Sequence, residues 1–368
     1  MRNLIGRVWM VLAITAACQA QLAAAEDGYL WVSGDGPAAR LVADEKPAVK
    51  DAAYANCDQT ACGGQDTGCG SCGVAGGFGG CDDSPERGIV GIFGMDSFKG
   101  VSDSALQSNF GVVTGLNAAM AVPGLDDYGI GWQLGMTYGA YDIDGGIRLN
   151  DSAAQTQQQT FVTTGFYRKG NDDQRLSFGI VYDWMLNNNW GIYGTNPTLG
   201  QWRGQVEYAV SEVNGVGLYG CVRDRGDQRL IRNVTLDTRA ISQVNLFWHH
   251  KFDSGADSWL WVGLPERERL DSVAGGSLGD WIIGANVQVP ISERLALYGN
   301  AEYMHPSASA GVDASVESTW NVGAGVMWYF GGHAVSHKLN GKCWLPYMPV
   351  ANNSTFLVDQ NPVPRFVN

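Results

Sequence analysis

Between Gly129 and Tyr141 the chain alternates. Ile130, Trp132, Leu134, Met136, Tyr138 and Ala140 share one side, and Gly129, Gly131, Gln133, Gly135, Thr137, Gly139 and Tyr141 share the other. Successive strand side chains point to opposite faces, so this pattern predicts a long two-faced strand. A helix would space its apolar residues by three and four. Arg175–Leu186, Asp280–Pro290 and Asn321–Phe330 repeat the pattern, the last with Val322, Ala324, Val326, Trp328 and Phe330 on its apolar face. Looser alternation runs through 88–95, 109–120, 159–169, 203–210, 215–223, 243–252, 258–264 and 294–304, giving about twelve segments.

The second face decides between two all-β architectures. It carries Gly, Asn, Gln, Thr and Ser rather than Lys and Glu. Strands of soluble sandwiches average ~5–6 residues, whereas strands of outer-membrane barrels run ~9–11 residues with the apolar face toward lipid. The clean segments here run ten to thirteen residues. The expected fold is therefore all-β, a closed antiparallel barrel of about twelve strands. Ile180, Trp132, Leu134, Ile283, Val326, Trp328 and Phe330 are expected to face lipid, and small residues to face a crowded interior. A serine in place of Gly179 or Gly325 is expected to be tolerated. Tyr128, Trp132, Trp184, Trp190, Trp281, Trp320, Trp328 and Tyr329 lie near segment ends, where they suit an interfacial aromatic girdle. A soluble secreted β-domain that binds a surface polymer is the competing reading.

Composition narrows the setting. The chain has 368 residues, 50 Gly, 17% charged residues and a formal net charge of -13. An acidic chain lacks the basic face that nucleic acid requires, so no nucleic-acid partner is expected. Arg2 and Arg7 precede the apolar run Val8 to Ala17, and Ala23-Ala24-Ala25 follows, which predicts a signal peptide over 1–25. Thr15-Ala16-Ala17-Cys18 offers a second reading, a lipoprotein signal with Cys18 acylated. Residues 26–86 read as a Cys/Gly-rich irregular leader, 87–330 as the barrel and 331–368 as an irregular tail containing Pro346, Pro349, Pro362 and Pro364. The tail is expected to lie in the periplasm or fold into the barrel mouth, not to form a membrane strand. The expected location is the bacterial outer membrane, with a secreted or periplasmic location as the alternative.

The segment Asn321-Val-Gly-Ala-Gly-Val-Met-Trp-Tyr-Phe330 resembles the closing strand of bacterial outer-membrane β-barrels, which alternates and ends in an aromatic residue. The resemblance implies membrane lipid and the barrel-assembly machinery as partners. It departs from the pattern in that 38 residues follow Phe330. The order of signal peptide, leader, barrel and the tail run Asn353-Ser-Thr-Phe-Leu-Val-Asp359 resembles barrel proteins of planctomycete bacteria, and implies no activity.

Candidate chemistry is sparse. Cys57, Cys62, Cys69, Cys72 and Cys81 cluster in the leader, with Cys221 and Cys343 far away. In an exported protein these read as disulfide candidates. A four-thiolate metal site from Cys57, Cys62, Cys69 and Cys72, or a redox pair at Cys69 and Cys72, are the other readings. Seven cysteines remain after signal removal, so one is left free or bridges two chains. Cys221 falls on the small-residue face, where it could meet a plug inside the barrel. His249 and His250 are adjacent on a strand and must face opposite sides, so they are not expected to chelate one metal. Arg223-Asp224-Arg225-Gly226-Asp227 reads as a charged loop. His305-Pro306-Ser307 is similar to the His-x-Ser pair of outer-membrane phospholipases, which would imply a lipid hydrolase. Pro306 would disrupt a ladder, and Asn321 is the only Asn in range. No cofactor and no enzymatic activity are expected. The leading expectation is a structural, anchoring or small-pore role.

Overall fold

A computed structural model describes residues 87–361, apart from 101–102, 104–108, 147–154, 172–173, 232, 269, 271–277, 308–318, 331–333, 337–338 and 340–343. The signal peptide, the leader with Cys57, Cys62, Cys69, Cys72 and Cys81, and Cys343 lie outside the described residues. The strands are β1 (Arg87–Lys99), β2 (Asn109–Ala121), β3 (Ile130–Gly146), β4 (Gln155–Arg168), β5 (Leu176–Asn188), β6 (Thr198–Ala209), β7 (Asn214–Arg225), β8 (Asp227–Ile231), β9 (Val234–Ala240), β10 (Gln243–Lys251), β11 (Asp257–Pro265), β12 (Gly279–Pro290), β13 (Leu295–Pro306), β14 (Thr319–Tyr329) and β15 (Val358–Asn361). A one-turn 3-10 helix, Asp126–Tyr128, joins β2 to β3.

Twelve of these strands close into an antiparallel barrel. Around the ring the order is β1, β14, β13, β12, β11, β10, β7, β6, β5, β4, β3 and β2. The ring shuts where β1 meets β14, with Val90 opposite Tyr329 and Lys99 opposite Trp320. Closure gives every wall strand a backbone partner on both sides, so no edge is left open. The twelve alternating segments are these twelve strands.

An even strand number brings both ends of the ring to one side. At that end the connections are short, as at 210–213, 252–256 and 291–294. The opposite end carries the long connections, as at 189–197, 226–242 and 266–278. The 226–242 connection holds β8 and β9, which with β15 make a separate three-stranded sheet. The expected charged loop at 223–227 is instead the end of β7, one glycine and the start of β8. Arg223, Asp224 and Arg225 close the twelve-residue β7, and Asp227 opens β8, whose five residues are too few for alternation to register.

The outward face is apolar. Leu134, Ile180, Ile283, Trp328 and Phe330 are all exposed there, and Trp132 and Val326 lie half-buried on the same alternating face. Tyr128 and Trp281 are exposed near opposite ends of the wall. Two expected girdle residues are not outside. Trp190 packs inward with Phe161, Met185 and Leu199, because the β5–β6 connection folds over the barrel mouth. Tyr329 has inward parity and bonds Gln288. The tolerance expected at Gly325 also fails. A Cβ there would collide with the Phe93 carbonyl oxygen and the Gly94 Cα, which are backbone of the neighbouring strand and cannot swing aside. At Gly179 the nearest atoms are Met348 Sδ at 3.0 Å and Tyr347 Cδ1 at 3.1 Å, both on side chains.

Candidate functional site

The wall strands point polar residues inward, and polar side chains removed from water need partners. Much of that need is met by the tail. Leaving the ring beside the short turns, the tail bonds back to them through Ala334 N to Glu293 O and Leu339 N to Glu212 O. It then enters the lumen past Gly88, where Leu345 and the Trp344 carbonyl leave no room for a Cβ. It runs the length of the barrel and emerges at the long-loop end, where β15 pairs with β9. The expected irregular tail at the mouth is thus a threaded segment ending in a strand. Its polar run Asn352-Asn353-Ser354 suits a polar lumen, not solvent: Asn353 and Ser354 are buried.

The backbone of this segment has little regular structure of its own, so its N–H and C=O groups must find other partners. Wall side chains supply them. Gln133 Oε1 accepts from the Tyr347 and Met348 N–H groups at 3.2 and 3.1 Å, and Gln133 Nε2 donates to Met348 O at 2.9 Å. Asn117 Nδ2 donates to the same carbonyl at 3.1 Å. Thr163 Oγ1 accepts from Ala351 N at 2.9 Å, and Gln201 Nε2 donates to Thr355 O at 2.9 Å. Arg203 donates to Pro349 O at 2.7 Å while its Nε lies 2.8 Å from Asp183 Oδ2, in an ion pair that is almost fully buried. Cys221 is a free thiol that faces this segment and donates to Thr355 O at 3.5 Å.

Side chains of the tail complete the seal. Asn353 donates to Asp96 at 3.1 Å and to Gln159 at 3.0 Å, and Asp96 also accepts from Tyr141 and Asn321. Ser354 donates to Asn321 at 2.6 Å and accepts from Asn300. Val350, Ala351, Phe356 and Val358 pack with Phe161, Met185, Trp190 and Leu199. Leu357 joins Ile241, Leu278, Ile282 and Met304. Gly135 faces Val350 so closely that a Cβ would not fit. The exit is tied by Arg239, 3.3 Å from Asp359, which also accepts from the Leu270 N–H at 2.9 Å.

The half of the lumen nearer the short turns is different. A cavity of about 960 Å³ runs along the tail, and in this half Glu207, His249, Lys251 and Asp257 stand on its wall. His249 holds Glu207 through Nδ1 and Asp257 through Nε2, both at 2.5 Å. Each ring nitrogen faces a carboxylate oxygen, which calls for an imidazolium donating from both. Lys251 Nζ donates to the other Asp257 oxygen at 2.6 Å. His250 points out to Asn214, so the two histidines do face opposite sides. The cluster itself was not read from the sequence, because its members come from three different strands. The inward parity of Glu207, His249 and Lys251 was the available signal.

His305 lies at the end of β13, stacked on Trp281 with centroids 5.1 Å apart. Its Nδ1 is 3.6 Å from Asp280 and has no hydrogen-bond partner among the described residues, while Ser307 is buried. Among the described residues there is no group of three or more His, Cys, Asp or Glu side chains that could hold a metal.

A family model described as a family of unknown function (DUF6666) matches residues 88–358. No curated protein matches the chain. Among solved structures, the chain is similar in fold to an outer-membrane channel from Pseudomonas putida F1, at 10% identity and a TM-score of 0.44, over 67% of this chain and 96% of that one. It is also similar to the KdgM porin, at 10% identity and 0.35, over 65% and 98%. A third is outer membrane phospholipase A from Escherichia coli, at 10% identity and 0.36, over 67% and 97%.

Proposed function

The chain belongs to this family of unknown function, and from that premise we propose that it is an outer-membrane barrel held shut by its own tail, with an anchoring role. The observation that carries this reading is the tail's passage through the lumen, with wall side chains bonded to its backbone. The apolar outward face supports a lipid surround, since exposing such a face to water would leave a large apolar patch. The family match runs through the ring and on to Val358, which supports treating ring and tail as one unit. Conductance across a planar bilayer tests the reading. The full chain should give no steady current, and a variant lacking 344–361 should insert and conduct. Steady current from the full chain would replace the closed barrel with a small pore. Release of the protein from envelope fractions by carbonate would favour a secreted protein instead.

A further inference from the structure

The cavity of about 960 Å³ along the tail has the size of a small-molecule site, ~300–1,000 Å³. Its wall carries seven acidic and basic side chains: Asp96, Lys169, Arg203, Glu207, His249, Lys251 and Asp257. Glu207 and Asp257 are matched by the His249 imidazolium and Lys251, Arg203 pairs with Asp183, and Asp96 accepts from Asn353, Tyr141 and Asn321. Lys169 is the remaining cation. Among the described residues no carboxylate forms an ion pair with it, and its ammonium lies over the Tyr167 ring, 5.9 Å from the centroid. Burial and the nearby Lys251 charge lower the Lys169 ammonium to about 7, against the opposing pull of Asp257. The wall also carries aromatic side chains, among them Phe247, Trp259, Trp261, Tyr329 and Tyr347. Tyr347 comes from the tail and stacks on Tyr167 with centroids 6.2 Å apart, so the tail builds one side of the cavity.

We propose that this cavity binds a small organic monoanion, with its carboxylate paired to Lys169 and its body against Tyr347 and Trp259. The positive charge at Lys169, which no carboxylate pairs among the described residues, selects one negative charge. A phosphate dianion would bring an unmatched charge close to Glu207 and Asp257. The aromatic wall favours a ligand with an apolar body over a bare inorganic ion.

Calorimetric titration of the detergent-solubilised full chain tests this, with benzoate as the probe and benzamide and inorganic phosphate as comparisons. Benzoate should bind at one per chain, more tightly than either comparison. Lys169→Gln should weaken benzoate about ten-fold or more, as expected for loss of a charge-assisted hydrogen bond, and Lys169→Arg should retain it. No saturable benzoate binding, equal binding of benzoate and benzamide by the unaltered chain, or unchanged benzoate affinity in Lys169→Gln would each overturn the proposal. The proposal goes beyond the closed barrel and needs no current measurement. Conductance that fails to follow the closed-barrel reading would leave the titration result standing.

Discussion

The wall and the tail are both extended chain inside one barrel, yet they are held in different ways. In the wall, each strand's backbone bonds to the backbone of the next, and the ring has no free edge. In the tail, from Tyr347 to Thr355, the backbone is bonded by wall side chains such as Gln133, Thr163, Gln201 and Arg203. A ladder needs only alternation and register, so many sequences can make it. A side-chain cradle needs particular residues at particular depths. Damage to the ring should therefore be global, and damage to the cradle should be local to the lumen.

The largest effect should come from breaking the ring itself. Deleting Thr319–Tyr329 leaves β1 and β13 with unpaired edges that lipid cannot satisfy. The barrel should then fail to insert, and its heat-modifiable migration on a gel should be lost. Retention of that migration would mean that the ring does not close through β14. Within the cradle, Arg203→Ala should cost ~3–5 kcal/mol in denaturant unfolding, since it leaves Asp183 buried without its partner. Combining Arg203→Met with Asp183→Leu should recover much of that loss, because a buried ion pair is often no better than an apolar replacement. If the double variant were as damaged as Arg203→Ala, the pair would be acting through more than its own charges. On the outward face, Ile180→Arg should cost ~2–4 kcal/mol in lipid if the side chain meets the bilayer midplane. In detergent-free buffer a soluble β-domain would show almost no loss, which makes this the sharpest test of what surrounds the wall.

Legibility followed the same division. All twelve wall strands could be read because alternation is a local property, and Asn321–Phe330 marked the closure. The tail could not be read in that way. Pro346 and Pro349 and the run Asn352-Asn353-Ser354 look the same in a solvent-exposed segment and in one bonded inside a polar lumen. The difference lies in partners some two hundred residues away, such as Gln133 and Met348. Inward polar residues gave half of the clue. Asp183 and Arg203 share the inward face of neighbouring strands, diagonal to one another, and a buried Arg implies a partner. What the sequence did not show was that a third group, the Pro349 carbonyl, completes their set. Gly325 failed for the opposite reason: its constraint is a neighbouring backbone, invisible to a pattern that records only side chains.

The threaded tail also changes the parity of the chain's path. Twelve strands return the polypeptide to the side from which it started. The passage from Trp344 to Val358 makes a thirteenth traverse, and thirteen is odd. Arg87 and Asn361 therefore stand at opposite mouths of the barrel. In any membrane that the ring spans, the start of β1 and the end of β15 lie on different sides. A barrel with an even number of strands thus presents its two described ends on opposite sides, which a bare ring of the same size could not do.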